Sequence, residues 1–524
     1  IMTKNILLRL FISVLLGFNV TLTISAQDEN HGHSAAALQL IKGQRQWFDT
    51  HNAAGMVYDQ TPNYSLLQFN YDQKSGNFHR VYTAEKQQQA NVYTEGNLNL
   101  GKVLAWGEFR FTHENERDAR FNASLNDPYR GQPFFVVDSG QPSKWRHQNY
   151  HLRFRVATPV VFQRLTFGIQ ATYKAQLAAK QRDPRVDARF YQLQLQPGLT
   201  YALTAHDVIG ASLNYVSQKE QSDMSLENMQ RRLHYYELYG LGTAHKGIGI
   251  GRQTNYYGNR WGTALQYEHH TDRWKILGEL FADKLVENVD ISFTTPRKDA
   301  QISERNLGFK VANSIYSKAY IHQINASFNY KSTNGITYLS QRDNTASSAG
   351  WIELHHDIRS TYKTTDATLN YVLTRLRDSE YSWQGAIGID YQGLDDTYLL
   401  PVSVKKSKNA MLFADYRNNF IVGKTMNQRL LLDVQLMMKR AFSGKYDYRG
   451  ANNDLITVRE MEPLDEAFLT ADAQGARLSL TYSQLLRQQT NINGYVKLAF
   501  SELHSKAKTF NSRRNVSVTL GVNF

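Results

Sequence analysis

The sequence predicts an all-β protein, a transmembrane antiparallel β-barrel of about 18 strands (range about 16 to 20), with a short N-terminal plug or periplasmic segment. Three observations predict it: an N-terminus composed like a secretory leader, period-2 alternation recurring up to the last residue, and short connections alternating with long polar ones.

Lys4 and Arg9 supply a positive n-region, the stretch 10–24 is apolar, and Ser25 and Ala26 precede the polar run Gln27-Asp28-Glu29-Asn30. This order predicts a signal peptide over residues 1–26, cleaved after Ala26. Beyond residue 30 no apolar run approaches the roughly 20 residues that a spanning helix needs. The 524 residues include no cysteine, 10 prolines and 31 tyrosines. A chain without cysteine forms no disulfide, and tyrosine suits strands and membrane interfaces because its ring is half apolar and half polar.

Residues 27–63 fall outside the strand pattern. Ser34 is placed to cap a short helix that carries Leu38 and Ile41, and Trp47 and Phe48 follow. Such residues seek burial, so the segment is expected to cross the barrel opening as a plug; the alternative is a disordered periplasmic tail.

The barrel is expected over 64–524. Strands are predicted near 64–72, 88–100, 103–115, 146–158, 163–174, 188–203, 206–218, 261–270 and 274–283. They continue near 301–314, 318–330, 361–374, 381–394, 408–419, 427–440, 473–486, 489–500 and 512–524. In the last, Val516, Val518, Leu520, Val522 and Phe524 form one face, and Asn515, Ser517, Thr519, Gly521 and Asn523 the other. An apolar face for lipid and a small polar face for a lumen mark a transmembrane strand. Val518, Leu520, Val522 and the terminal Phe524 also resemble the signal that barrel-assembly machinery reads. Similar alternation recurs at Leu165-Phe167-Ile169 and at Leu430-Leu432-Val434-Leu436.

Short links at 101–102, 204–205 and 271–273 alternate with long polar ones at 116–145, 175–187, 219–260, 284–300, 331–360 and 441–472. Short turns belong in the periplasm and long loops at the surface, which gives even parity with both ends periplasmic. The strand-like stretch 231–241 is placed as a hairpin arm inside 219–260.

Alternation turns a set of charged residues inward: Glu108, Arg110, Arg153, Arg155, Lys310, Asp366, Asp390, Asp415, Arg429, Asp433, Arg477, Lys497 and Arg513. In an open channel they would form screened rings that set selectivity; in a plugged barrel they would pair with one another or with the N-terminal segment. The formal charge is +13. Its clusters, among them Arg231-Arg232 and Lys405-Lys406, point to anion preference or to contact with lipopolysaccharide phosphates. An exported barrel has no occasion to bind nucleic acid.

His31 and His33 are the candidates for a loose metal site, and none is assigned. The pairs His269-His270 and His355-His356 lie on opposite faces of their strands and cannot chelate there. No cofactor is implied. No G-x-S-x-G, H-E-x-x-H or phosphate-binding glycine loop occurs, which argues against an enzyme.

The run Trp47-x4-Asn52-Ala53-Ala54-Gly55-Met56, the turn Gly76-Asn77-Phe78-His79 and the strand from Leu104 to Phe111 carry a resemblance. The chain resembles a Bacteroidota outer-membrane β-barrel family known only as a domain of unknown function, through most of its mature length. The resemblance implies an outer-membrane location and no catalytic residues. Its implied partner class is a TonB-dependent transporter or a surface lipoprotein. A TonB-dependent transporter itself is not expected, because a barrel of about 22 strands with a large plug does not fit this length. Three functions follow as expectations: an occluded barrel serving transport or a larger outer-membrane assembly, an open porin with mild anion preference, and a barrel-embedded hydrolase.

Overall fold

The computed structural model describes residues 34–228, 230, 233–248, 252–292, 295–343, 345, 350–423, 427–487 and 492–524. The predicted signal peptide, His31, His33 and the pair Arg231-Arg232 lie outside them. The strands, in chain order, are β1 (Tyr64–Ser75), β2 (Lys86–Leu100), β3 (Val103–Ala119), β4 (Val136–Asp138), β5 (Ser143–Ala157), β6 (Leu165–Lys180) and β7 (Arg185–Ala202). Next come β8 (Asp207–Ser225), β9 (His234–Gly240), β10 (Thr243–Ile248), β11 (Arg252–His270), β12 (Trp274–Ser292), β13 (Arg297–Tyr316) and β14 (Tyr320–Asp343). The chain ends with β15 (Gly350–Arg377), β16 (Glu380–Leu399), β17 (Val402–Val422), β18 (Gln428–Tyr448), β19 (Ala473–Arg487), β20 (Ile492–Ser505) and β21 (Ser512–Asn523). Among the described residues the α-helices are α1 (Ala35–Gln44), α2 (Met56–Asp59) and α3 (Glu462–Thr470), with shorter helical turns at Trp47–Asp49, Ala53–Gly55 and Thr457–Met461.

Eighteen strands form one sheet, all but β4, β9 and β10. Each pairs antiparallel with its neighbours, and β1 pairs with both β2 and β21, so the sheet closes and no edge is left open. At the closure Phe69 faces Leu520 and Tyr71 faces Val518. All four are exposed on the outside, as are Leu67 and Val516 beside them. An exterior of exposed leucine, phenylalanine and tyrosine on every side is stable only against lipid, and a closed barrel satisfies its backbone without water. Among the described residues no helix is long and apolar enough to cross a membrane.

Each predicted strand segment overlaps one of the eighteen, but several predicted loops are strand. Strands run to Lys180 and resume at Arg185, run to Ser292 and resume at Arg297, and run to Asp343 and resume at Gly350. The regions 175–187, 284–300 and 331–360 are therefore mostly ladder. The physical reason is length: a span takes about 9–11 residues, whereas β14 has 24 and β15 has 28. Past the bilayer both faces are wetted and alternation disappears, as in the fully exposed run Glu353-Leu354-His355-His356-Asp357. Within 219–260, β9 and β10 form a hairpin that β4 extends to a three-stranded sheet.

Buried apolar groups gather inside the barrel near its two ends. At the short-turn end Leu38, Ala53 and Met56 pack with Tyr64, Leu66 and Trp106. At the long-loop end Val81, Tyr82, Phe121, Val137, Tyr236 and Met461 pack together.

Candidate functional site

The N-terminal segment crosses the lumen at the short-turn end. Ser34 caps α1, its hydroxyl accepting from Ala37 N at 3.1 Å, and it donates to Glu380 on β16. From there Lys42 Nζ meets Glu95 on β2 at 2.6 Å, and Gln46 donates to Ser314 on β13 at 2.8 Å. Trp47, fully buried, donates its indole N–H to Glu268 on β11 at 2.5 Å. His51 N donates to Glu279 on β12 at 2.7 Å. Leu38 is buried, Ile41 half-buried, and Phe48 lies edge-on to Trp106 at 4.7 Å under the guanidinium of Arg155. The wall thus holds the segment from many directions, chiefly by hydrogen bonds to carboxylates.

The seat itself is made of missing side chains. Gly168, Gly198 and Gly210 lie on the adjacent strands β6, β7 and β8. A Cβ at Gly168 would stand 2.3 Å from Ala54 N, and one at Gly198 would stand 2.2 Å from Asn52 Oδ1. Asn52 donates to Leu199 O at 2.8 Å and to Gln266 at 3.0 Å, and its Oδ1 accepts from Ala54 N. Gly55 closes the turn against Trp47, where a Cβ would fall 2.0 Å from the indole. The run Trp47 to Met56 is therefore the part of the plug that docks.

Asp59 ties the plug to itself, accepting from Trp47 N (3.1 Å) and Phe48 N (2.9 Å). Burial pushes its carboxyl up to about 6, against the opposing charge of Lys275.

Loops close the other end. Arg130, from the connection 120–142, reaches Glu220 on β8 at 2.8 Å and also pairs with Glu287 on β12. In the connection 449–472, α3 presents Asp465 to Arg80 (2.8 Å) and Lys405 (2.9 Å), and Lys405 also meets Glu462 at 2.7 Å. Burial pushes the Asp465 carboxyl up, but Lys405 and Arg80 more than offset this and hold it below the usual carboxylate range. Thr457 donates to Gly242 O at 2.6 Å and so joins this loop to the β9–β10 hairpin.

Two polar cavities lie beneath the loops. One of about 400 Å³ is bordered by Arg130, Gln218, Glu220, Arg260, Glu287 and Asn306, among others. One of about 260 Å³ is bordered by Arg80, Tyr129, Tyr362, Asp396 and Lys405. Gln132 and Lys331 border both.

Residues 53–524 match a family of unknown function, DUF6850. The chain belongs to that family. No curated protein matches it. Among solved structures it is similar to BauA, the ferric preacinetobactin receptor of Acinetobacter baumannii, at 7% identity over 88% of this chain and 80% of that one, with TM-score 0.37. It is also similar to OpdK of Pseudomonas aeruginosa, solved with vanillate, at 10% identity over 88% and 99% of the two chains, TM-score 0.34. A third is the RagAB peptide importer in its closed-closed state, at 6% identity over 88% and 86%, TM-score 0.36.

Within this family member the inward charged residues divide by partner. Arg155 donates to Phe48 O at 2.6 Å, and Lys310 donates to Asp49 O at 2.8 Å, so both hold the plug directly. Arg429 bonds Glu380 at 2.8 Å and acts on the plug through it. Arg153 meets Glu108 at 3.1 Å and covers the Trp106 ring, while Arg110 covers Tyr93. Asp433 faces Arg417 at 3.5 Å, and Asp366 and Asp415 accept from Gln392 and Gln435. Arg513 bonds the carbonyls of Gly76 and Glu85 at the long-loop end. Asp390, Arg477 and Lys497 stand in register with Thr368, Gln435 and Thr481. His269 bonds Asp207, whereas His270 turns to Glu268.

Sequence reasoning missed the residues that receive the plug: Glu95, Glu268, Glu279 and Glu380, and the three seat glycines. The glutamates had a signal, since each takes an inward position in the short-turn half of its strand. The glycines had none, because a strand glycine reads as a bulge or a weak point.

Proposed function

We propose that this protein is an occluded outer-membrane barrel of a Gram-negative bacterium, serving as a gated transport or accessory component of a larger outer-membrane assembly. The docked plug carries the reading. Its contacts are mostly hydrogen bonds and ion pairs to carboxylates, which water can replace at a net cost of about 1.5–3 kcal/mol each. A stopper held this way can be released, whereas a permanent core would be apolar. The inward charges engaged with the plug disfavour an open, anion-preferring porin, and the reading assigns no catalysis.

In this reading the short-turn end and the plug face the periplasm, and the apolar exterior meets outer-membrane lipid. The basic outer loops meet lipopolysaccharide, and the strand through Val518, Leu520, Val522 and Phe524 is what the barrel-assembly machinery recognises. The resemblance to Bacteroidota barrels favours a TonB-dependent transporter or a surface lipoprotein as the partner. β14 and β15, the longest strands, expose Leu339, Ile352 and Leu354 well beyond the length needed to span the membrane.

Planar-bilayer recording tests the occlusion. The full barrel should be silent apart from rare, brief openings, and deletion of residues 34–60 should give a steady conductance on the order of a nanosiemens, as expected of an 18-stranded opening. A full-length protein that conducts steadily overturns the reading. Gentle extraction from native membranes tests the assembly: a protein recovered alone at full yield would remove the accessory role.

A further inference from the structure

We propose that the larger cavity under the loops binds a small neutral polyhydroxylated ligand, a sugar or short saccharide, with Gln132 as a contact. The cavity, about 400 Å³, falls in the range of small-molecule sites. The proposal rests on the occluded-barrel reading for the chamber that the loops enclose.

Most of the charges around the cavity are already engaged with each other. Arg130 is shared by Glu220 and Glu287, Arg260 pairs with Asp283 and Glu304, and Lys331 lies 3.8 Å from Glu304. Asp127 and Lys174, also in the lining, are one of each sign. An ionic ligand would have to break a buried pair and strand its partner, which is strongly unfavourable.

What the lining does offer is carboxamide. Gln176, Gln192, Gln218, Asn306 and Asn329 project from β6, β7, β8, β13 and β14, and Gln132 comes from the loop 120–142. Each carboxamide both donates and accepts, as a hydroxyl does; Gln218 and Asn306 already donate to Glu287 and Asp283, and their oxygens and the remaining carboxamides match a ligand carrying several hydroxyls. Gln132 is buried, and neither its Nε2 nor its Oε1 has a hydrogen-bond partner; Asn306 Oδ1 is in the same state. Buried polar atoms without partners are costly, and a ligand hydroxyl would satisfy those of Gln132 with a small adjustment of the loop. Apolar lining is limited to Phe190, Leu285 and Ile302, enough for the C–H face of a sugar ring and too little for peptide side chains.

Isothermal titration of the full detergent-purified barrel tests this, using glucose, maltose and maltotriose, glucose 6-phosphate as the charged analogue, and trialanine as the peptide. At least one neutral sugar should bind saturably, and glucose 6-phosphate about tenfold or more weaker than glucose. Gln132→Ala and Asn306→Ala, each checked for native heat-modifiable gel mobility, should weaken sugar binding about tenfold. The proposal is overturned if no neutral sugar binds at about 10 mM, if trialanine binds and the sugars do not, or if both variants keep the full affinity. Conductance is a separate readout. A silent barrel that binds no sugar removes the ligand and leaves the occlusion standing, whereas a steadily conducting barrel removes the occlusion.

Discussion

At Gly168 a single added methyl group decides whether the plug fits. Its Cβ would meet Ala54 N at 2.3 Å, a backbone atom that cannot rotate away, so Gly168→Ala must lift the docking turn. Overpacking of this kind costs about 1–3 kcal/mol. Bilayer recordings should then show openings in a barrel whose thermal unfolding is unchanged, because the ladder from β5 to β7 needs no glycine there. Gly278→Ala on β12 is the control: nothing lies within 4 Å of its Cβ, and it should stay silent. Arg130 decides the other end. Arg130→Met leaves Glu220 and Glu287 buried against each other without their cation, a loss on the order of 3–5 kcal/mol. The connection 120–142 should become open to added protease while the strand signal in circular dichroism is retained. Continued resistance to protease would show that this loop is held by its apolar contacts.

At the scale of elements, α3 works as a charged clasp between the loop 449–472 and the wall, and its pH response follows from Asp465. The folded carboxyl titrates below the ordinary value of 3.8, so its stabilising effect is fully present above that value and is lost as the pH falls through the lower, folded one. The clasp should therefore hold at pH 5 and open only in strongly acid solution. Asp465→Asn should open it at neutral pH, read as proteolysis within 449–472. These elements differ in how far the sequence shows them. Strands such as β21 are legible because lipid on one side and lumen on the other impose period 2 on Val516 to Phe524. The outer halves of β14 and β15 are illegible because water wets both faces, and Glu353 to Asp357 carries no alternation although the ladder continues. Alternation also turns Arg155 and Lys310 inward without revealing that they meet Phe48 and Asp49, since those contacts span more than 100 residues. The docking turn is legible as the motif from Trp47 to Met56, whereas its seat on Gly168 and Gly198 is not.

For the whole molecule, the two stoppers respond to acid in opposite senses, and that gives a test of gating in a single recording. Asp59 belongs to the plug, is flanked by Lys275 and Glu268, and titrates near 6 when docked against an ordinary value of 3.8. A raised carboxyl pKa means that the docked plug holds a proton which a released plug gives up. Docking is thus strongest below about 4 and loses this contribution as the pH rises through about 6. Between these limits the docking constant should grow by up to about tenfold for each unit of acidification. Asp465, depressed rather than raised, leaves the long-loop clasp unchanged over the same window. Rare openings of the full barrel should therefore become rarer from pH 7.5 to pH 5, and Asp59→Asn should remove the slope. Openings that increase on acidification, or a slope that survives Asp59→Asn, would mean that the gate is not the docked turn around Asp59, and the loop end would have to carry it.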